Sequence, residues 1–178
     1  MAIITQQEIT GALERLGQLA QAQGHRVELV IVGGALMVLA YKARLSTYDV
    51  DAVIIAPTET RIVRELVEVI AAERGWPKDW LNDAVKGYMK DLSAGPTVFS
   101  APGIEVRSPS LGQVLAMKLS AWRDDVDIAD ARRLLEEFPA GSDRETVWKE
   151  IEPYLVPGDE LKAQYAFLDL WEALHGQD

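Results

Sequence analysis

Residues 31–51 read IVGGALMVLAYKARLSTYDVD, and the fold turns on how this stretch is read. The run leading into it, Val27 to Val32, is apolar except for Glu28, as expected of a strand covered on both faces. Gly33-Gly34 breaks that strand. A short apolar helix over Ala35 to Ala43 is predicted next, then a second strand over Asp49 to Ala56, apolar after Asp51 and stopped by Pro57. Asp49 and Asp51 alternate on that strand, so their carboxylates project from one face with Cα atoms roughly 6.5 Å apart. Two acids that close repel each other unless a cation sits between them. Hard oxygen ligands of this kind suit Mg²⁺, which also takes ligands from substrate phosphates. A strand ending in two glycines lets backbone approach a phosphate, and the N-terminus of the next helix adds its dipole. Taken singly, the Asp pair also fits an exposed strand start, and the glycine pair fits a plain strand-to-helix turn. The Gly-x-Gly-x-x-Gly dinucleotide fingerprint and the P-loop are both absent.

The elements around this stretch follow from pattern. Thr5-Gln6-Gln7-Glu8 is a capping box opening a helix with Ile9, Leu13, Leu16, Leu19 and Ala20 on one face, ended by Gly24. A long amphipathic helix is predicted over Thr58 to Arg74, with Ile62, Leu66, Val69 and Ile70 buried and Gly75 as its C-cap. Lys78 to Met89 reads as irregular helical turns. Thr97–Ser100 and Ile104–Arg107 form a hairpin around Ala101-Pro102-Gly103. Helices follow: one starting at Ser108-Pro109, one over Ile128 to Phe138, one opened by a capping box at Ser142-Asp143-Arg144-Glu145, and one over Asp159 to Leu174. This order predicts an α/β (α+β) fold, with a small mixed sheet flanked by helices and a helical C-terminal part. The expected division is an α/β core over 1–108 and helices over 109–178, packed as one unit. Glu105, an acid between Ile104 and Val106, is the best strand position for a third carboxylate of a metal site. Asp83 and Asp91 are loop alternatives.

The 178 residues carry a formal net charge of −10 and no basic cluster longer than pairs such as Arg132-Arg133, which argues against a broad nucleic-acid surface. No cysteines and only two histidines, His25 and His175, argue against disulfides and a zinc site. With no signal-peptide pattern and no apolar run of membrane-spanning length, a cytoplasmic protein is expected.

The joint order, a buried strand, Gly33-Gly34, a short helix, and Arg44-x-Ser46-Thr47-x-Asp49-x-Asp51, resembles the DNA polymerase β-like nucleotidyltransferase superfamily. Within it the sequence is similar to the small bacterial group related to the AbiEii abortive-infection toxins, including DUF6036-type proteins. Trp80-Leu81-Asn82-Asp83 fits a stretch that these proteins carry. Leu115 to Leu119 with Lys118, then Arg123, Asp127 and Asp130, fits their Lys helix and Asp-x-x-Asp turn. The resemblance spans about residues 27 to 135. It implies transfer of a nucleotidyl group from a nucleoside triphosphate on Mg²⁺ or Mn²⁺ to an acceptor, whether tRNA, protein or a small molecule. A toxin role with a cognate antitoxin partner, or a binding module without turnover, would follow from the same likeness. Carried over by position, Gly33, Gly34, Arg44, Ser46 and Thr47 would hold phosphates, and Asp49, Asp51 and Glu105 would bind metal. Lys118 would sit near the phosphates or support the carboxylates, and Asn82, Asp83 and Asp127 would assist. Gly34 stands where many members have Ser, which removes one hydroxyl ligand. Trp80, next to the motif, is the best candidate for a nucleobase platform. The other tryptophans read as core or groove residues.

Overall fold

In a computed structural model, the described residues are 3–85, 89, 91–122 and 124–176. The chain divides into two compact units, Met1–Gly87 with Ala94–Pro109, and Tyr88–Ser93 with Ser110–Asp178.

The first unit is built on a five-stranded mixed sheet. Its central strand is β2 (Val27–Val32), fully buried except at Glu28. The elements before it are β1 (Ile4–Thr5) and helix α1 (Gln6–Ala22), and those after it are α2 (Gly33–Leu39), β3 (Ser46–Thr47) and β4 (Val50–Ala56). Helix α3 (Thr60–Arg74) leads to β5 (Leu81–Asn82), β6 (Thr97–Ala101) and β7 (Ile104–Arg107). The strand order is β5-β4-β2-β7-β6. β2 runs antiparallel to β4 and parallel to β7, β5 lies parallel to β4, and β6 closes the hairpin against β7. β1 and β3 form a separate two-stranded ladder.

Local chemistry sets the helices. Thr5 and Glu8 make the expected capping box, with the Glu8 carboxylate accepting the Thr5 N–H at 2.8 Å. α1 then buries Ile9, Leu13, Leu16 and Ala20. It lies so close to the β6–β7 turn that a Cβ on Gly17 would collide with the Pro102 carbonyl. α3 ends at Gly75 as predicted, with the glycine at φ +68° and its N–H bonded to the Ala71 carbonyl. The buried face of α3 is Val63, Leu66, Val67, Ile70 and Ala71. The predicted face was turned by one position, since Val69 is 43% exposed.

Other boundaries differ for physical reasons. The helix predicted over Ala35–Ala43 begins at Gly33 and stops at Leu39, because residues 46–47 are drawn into the ladder with β1. The turns predicted after Lys78 contain β5, a two-residue strand too short to show alternation and defined by pairing with β4. Trp80, predicted as a nucleobase platform, is a core residue. It is 1% exposed, donates from Nε1 to the Val67 carbonyl at 3.0 Å, and meets Trp76 edge-on at 5.4 Å.

The second unit centres on α4 (Leu111–Ala121), which is buried at Val114, Leu115, Ala116, Lys118 and Leu119. Packed around it are α5 (Asp125–Leu135), α6 (Arg144–Ile151) continuing into a 3-10 turn at Glu152–Tyr154, and α7 (Glu160–His175). α4 is capped by Ser110, not by Ser108, and α5 starts three residues before Ile128 because Asp124 caps it through the N–H groups of Val126 and Asp127. α6 is capped by Asp143, one residue later than the start of the predicted box. Lys162 of α7 donates to the last carbonyls of α4, Ser120 and Ala121, at 2.8 Å each. Trp148, Phe167, Trp171 and His175 form a ladder of ring contacts. No helix among the described residues is long and apolar enough to cross a membrane.

Lys118 lies on the face of α4 covered by α5. Its ammonium sits 3.3 Å from Asp127 Oδ1 and 2.7 Å from Asp130 Oδ2, with all three side chains nearly excluded from water. Removing the cation leaves two carboxylates buried together, which is far costlier than removing the whole group. Lys118→Met is expected to lower the unfolding free energy by about 3–5 kcal/mol in urea titrations. Adding Asp127→Asn and Asp130→Asn to that variant should restore most of the loss.

Candidate functional site

The site is built where β2 ends. The β2–β4 register pairs Val32 with Asp51, so the acid stands beside the point where the backbone turns into Gly33. Gly33 has φ +64°, a left-handed conformation that glycine adopts without steric cost. A Cβ built on Gly33 would lie 2.8 Å from Asp51 Oδ2. A Cβ on Gly34 would lie 2.5 Å from Thr47 Oγ1 and 3.3 Å from Arg44 Nη1. Gly33 is therefore needed for the turn, and a Cβ at either glycine would have to displace the end of a side chain, Asp51 at Gly33 and Thr47 at Gly34. Gly33, Gly34, Arg44, Thr47 and Asp51 converge on one end of one strand. Of the two hydroxyl candidates, Thr47 is the one turned in. It is buried and abuts Gly34, while Ser46 alternates to the other face of β3 and pairs with Thr5.

Asp49 lies one residue before β4, which begins at Val50 with its N–H held by the Trp80 carbonyl at 2.7 Å. Burial pushes the Asp49 carboxyl above the usual range, and the charges of Asp51 and Asp79 push it further. Asp79 is a member of this acidic neighbourhood that the motif reading passed over. Its only sequence signal is its place beside Trp80-Leu81-Asn82-Asp83. β5 also brings Asn82 directly opposite Asp51. The Asn82 side-chain carbonyl accepts the Ala84 N–H at 3.2 Å, so its amide N–H groups carry the remaining donor capacity.

Glu105 is not brought to the site. β7 pairs Glu105 with Glu28, four residues from Val32 along β2, a separation of about 13 Å at the strand rise. Its carboxylate is bound by Arg26 at 2.8 Å, Arg107 at 3.1 Å and the Thr97 hydroxyl at 3.0 Å. These hydrogen bonds, that of Thr97 first, hold its carboxyl below the usual range. The expectation that Glu105 is the third metal carboxylate is corrected on that ground. Asp83, the first loop alternative, is paired with Arg64 at 2.7 Å. Asp91, the second, lies in the other unit, where its carbonyl accepts the Gln113 amide. Lys118 and Asp127 also belong to that unit and bind each other there. Arg123 lies outside the described residues.

No group of three or more His, Cys, Asp or Glu side chains among the described residues is arranged to hold a metal by itself. Two carboxylates are nonetheless a fitting donor set for Mg²⁺, which keeps waters and takes further ligands from substrate phosphates.

A mixed sheet with a glycine pair ending one strand and an Asp-x-Asp entering its antiparallel neighbour defines a nucleotidyltransferase-like fold. The family model described as nucleotidyltransferase of unknown function (DUF6036) matches residues 8–134, and the chain belongs to that family. No curated protein and no solved structure matches the chain.

The Asp49 shift has a sign that stability can report. A raised carboxyl pKa means the folded protein holds the proton more tightly than the unfolded chain. The associated stability is present at low pH. It is lost as pH rises from the ordinary aspartate value, about 3.9, through the folded value. Asp49→Asn should therefore melt at a higher temperature than the wild type at neutral pH in metal-free buffer. The two melting curves should converge as pH falls below the ordinary aspartate range.

Proposed function

We propose that the protein is a metal-dependent nucleotidyltransferase that moves a nucleotidyl group from a nucleoside triphosphate to an acceptor hydroxyl. The observation that carries this reading is the placement of Gly33 against Asp51 Oδ2, which puts a backbone able to approach phosphate next to a carboxylate suited to metal. The N–H groups at Gly33 and Gly34 would meet the phosphates, helped by the Thr47 hydroxyl and the Arg44 guanidinium beside Gly34. Asp49 and Asp51 would hold Mg²⁺ or Mn²⁺, which when bound draws charge from the phosphates of the donor. Asn82, opposite Asp51, would offer amide donors to substrate oxygen. The family's membership supports transferase chemistry in general. A role as the toxin of a toxin–antitoxin or phage-defence pair, with a cognate antitoxin as partner and a cytoplasmic setting, rests on the motif resemblance to the AbiEii-type group.

With Asp49 and Asp51 as the proposed metal ligands, metal and nucleotide should bind together. Mg²⁺ alone is expected to leave the melting temperature unchanged, and Mg²⁺ with a nucleoside triphosphate to raise it. Incubation with α-labelled nucleoside triphosphates and Mg²⁺ or Mn²⁺ should give a labelled acceptor. The rate should fall at least about a hundredfold in Asp49→Ala/Asp51→Ala and stay near wild type in Glu105→Gln. Nucleotide binding that persists with no labelled product would instead identify a binding module on the same fold.

A further inference from the structure

Helix α7 carries two apolar faces where a surface helix ordinarily carries one. Its inner face, with Ala163, Ala166, Phe167 and Leu170, is buried in the second unit. On the opposite side Leu161, Tyr165 and Leu168 follow at i, i+4 and i+7, which lines them up along the helix. Leu161 is 68% exposed and Tyr165 66%, and Leu168 is half-buried. Single exposed hydrophobic residues are ordinary on a protein surface, but a row of large ones at helical spacing marks a contact face. The row leads to a cavity of about 320 Å³ in the same unit. Trp171, three residues beyond Leu168, and His175, four beyond Trp171, wall it with their rings 4.3 Å apart, and Leu135 and Phe138 add apolar surface.

Charge says what such a face would accept. Residues 136–178 hold eleven Asp and Glu against three Lys and Arg. Two of those cations are engaged, Lys149 with Glu145 at 2.7 Å and Lys162 with the Ser120 and Ala121 carbonyls at 2.8 Å each. Asp169 and Glu172 stand exposed four residues beyond Tyr165 and Leu168, and Glu136 lines the cavity. A second copy of the chain would bring acid against acid on this face, so like charge opposes self-pairing. A helix with apolar residues at helical spacing and lysines or arginines beside them matches both the row and its charge.

We propose that this face of α7 docks a basic amphipathic helix of another protein. The partner's apolar residues lie along Leu161, Tyr165 and Leu168, and one large apolar side chain enters the cavity beside Trp171. To run from Leu161 to His175 the partner helix needs about 14 residues, roughly 21 Å. The proposal does not depend on the donor-site reading.

The test uses the full chain and three fluorescent peptides of about 18 residues. One is a helix former with leucines at i, i+4, i+7 and i+11 and lysines beside them. The second replaces the lysines with glutamates, and the third scrambles the order of the first. Fluorescence anisotropy should show binding of the first alone, weakening as salt is added. Leu161→Glu/Tyr165→Glu should weaken it about tenfold or more, with the melting temperature kept because both side chains are exposed. Asp169→Lys/Glu172→Lys should shift the preference toward the glutamate peptide. The proposal is overturned by no binding of the lysine peptide, by equal binding of the scrambled or glutamate peptide, or by wild-type affinity in Leu161→Glu/Tyr165→Glu. A wild-type dimer in sedimentation that Leu161→Glu/Tyr165→Glu dissolves would overturn it in favour of a second copy as the occupant.

Discussion

Val32 and Asp51 face each other across the β2–β4 ladder, and the geometry of the candidate site depends on that pairing. A strand alternates its side chains, so slipping the register by one residue would turn Asp51 into the core and Val50 toward the glycines. The register is held by burial: Leu29, Ile31, Ala52 and Ile54 all lie within the core. Gly33 then supplies the left-handed turn, and the lack of a Cβ at Gly33 and Gly34 lets two side chains close in on the backbone. The space a side chain would need is taken by Asp51 Oδ2 beside Gly33 and by Thr47 Oγ1 beside Gly34. Sheet packing, the left-handed turn and the acid are thus parts of one constraint.

Charge compensation separates structural acids from candidate functional ones. Glu105 is bound by two arginines and a threonine, Asp83 by Arg64, and Asp127 and Asp130 by Lys118. Each of these carboxylates already has a structural use. Asp49, Asp51 and Asp79 have no ion-pair partner among the described residues, and Asp49 is held above the usual carboxylate range by its surroundings. A fold that gathers acids without pairing them carries an electrostatic cost, and such costs concentrate at sites that bind something of the opposite charge.

The second unit solves a different problem. α4 is buried on nearly every face, as a helix in the middle of a bundle must be. Lys118 is the one charged side chain inside that face, and it is tolerated because α5 presents two aspartates one helical turn apart. The same α4 has its C-terminal carbonyls satisfied by Lys162 of α7, so ion pairing and capping together tie the unit's helices to their centre.

The sequence by itself determined the mixed α/β fold, most of the helices, the β6–β7 hairpin, the capping box at Thr5–Glu8 and the turn glycines, because caps, periodicity and left-handed turns are local properties of the chain. It also held the Gly33-Gly34 and Asp49/Asp51 pattern complete, since their spacing is written in one short stretch. Only the tertiary structure decided which other acids join them. Glu105 sits on a strand with apolar neighbours, yet strand order and parallel register place it beside Glu28 and under two arginines. Asp79 sits in a turn without a pattern, yet the pairing of the two-residue strand β5 that follows it brings its charge within range of Asp49. Likewise Trp80 turned out to be core and Thr47, not Ser46, the inward hydroxyl. Each of these depends on which strands become neighbours and in what register. Such pairings join residues far apart in the chain through backbone hydrogen bonds, which leave no local signature in side-chain order.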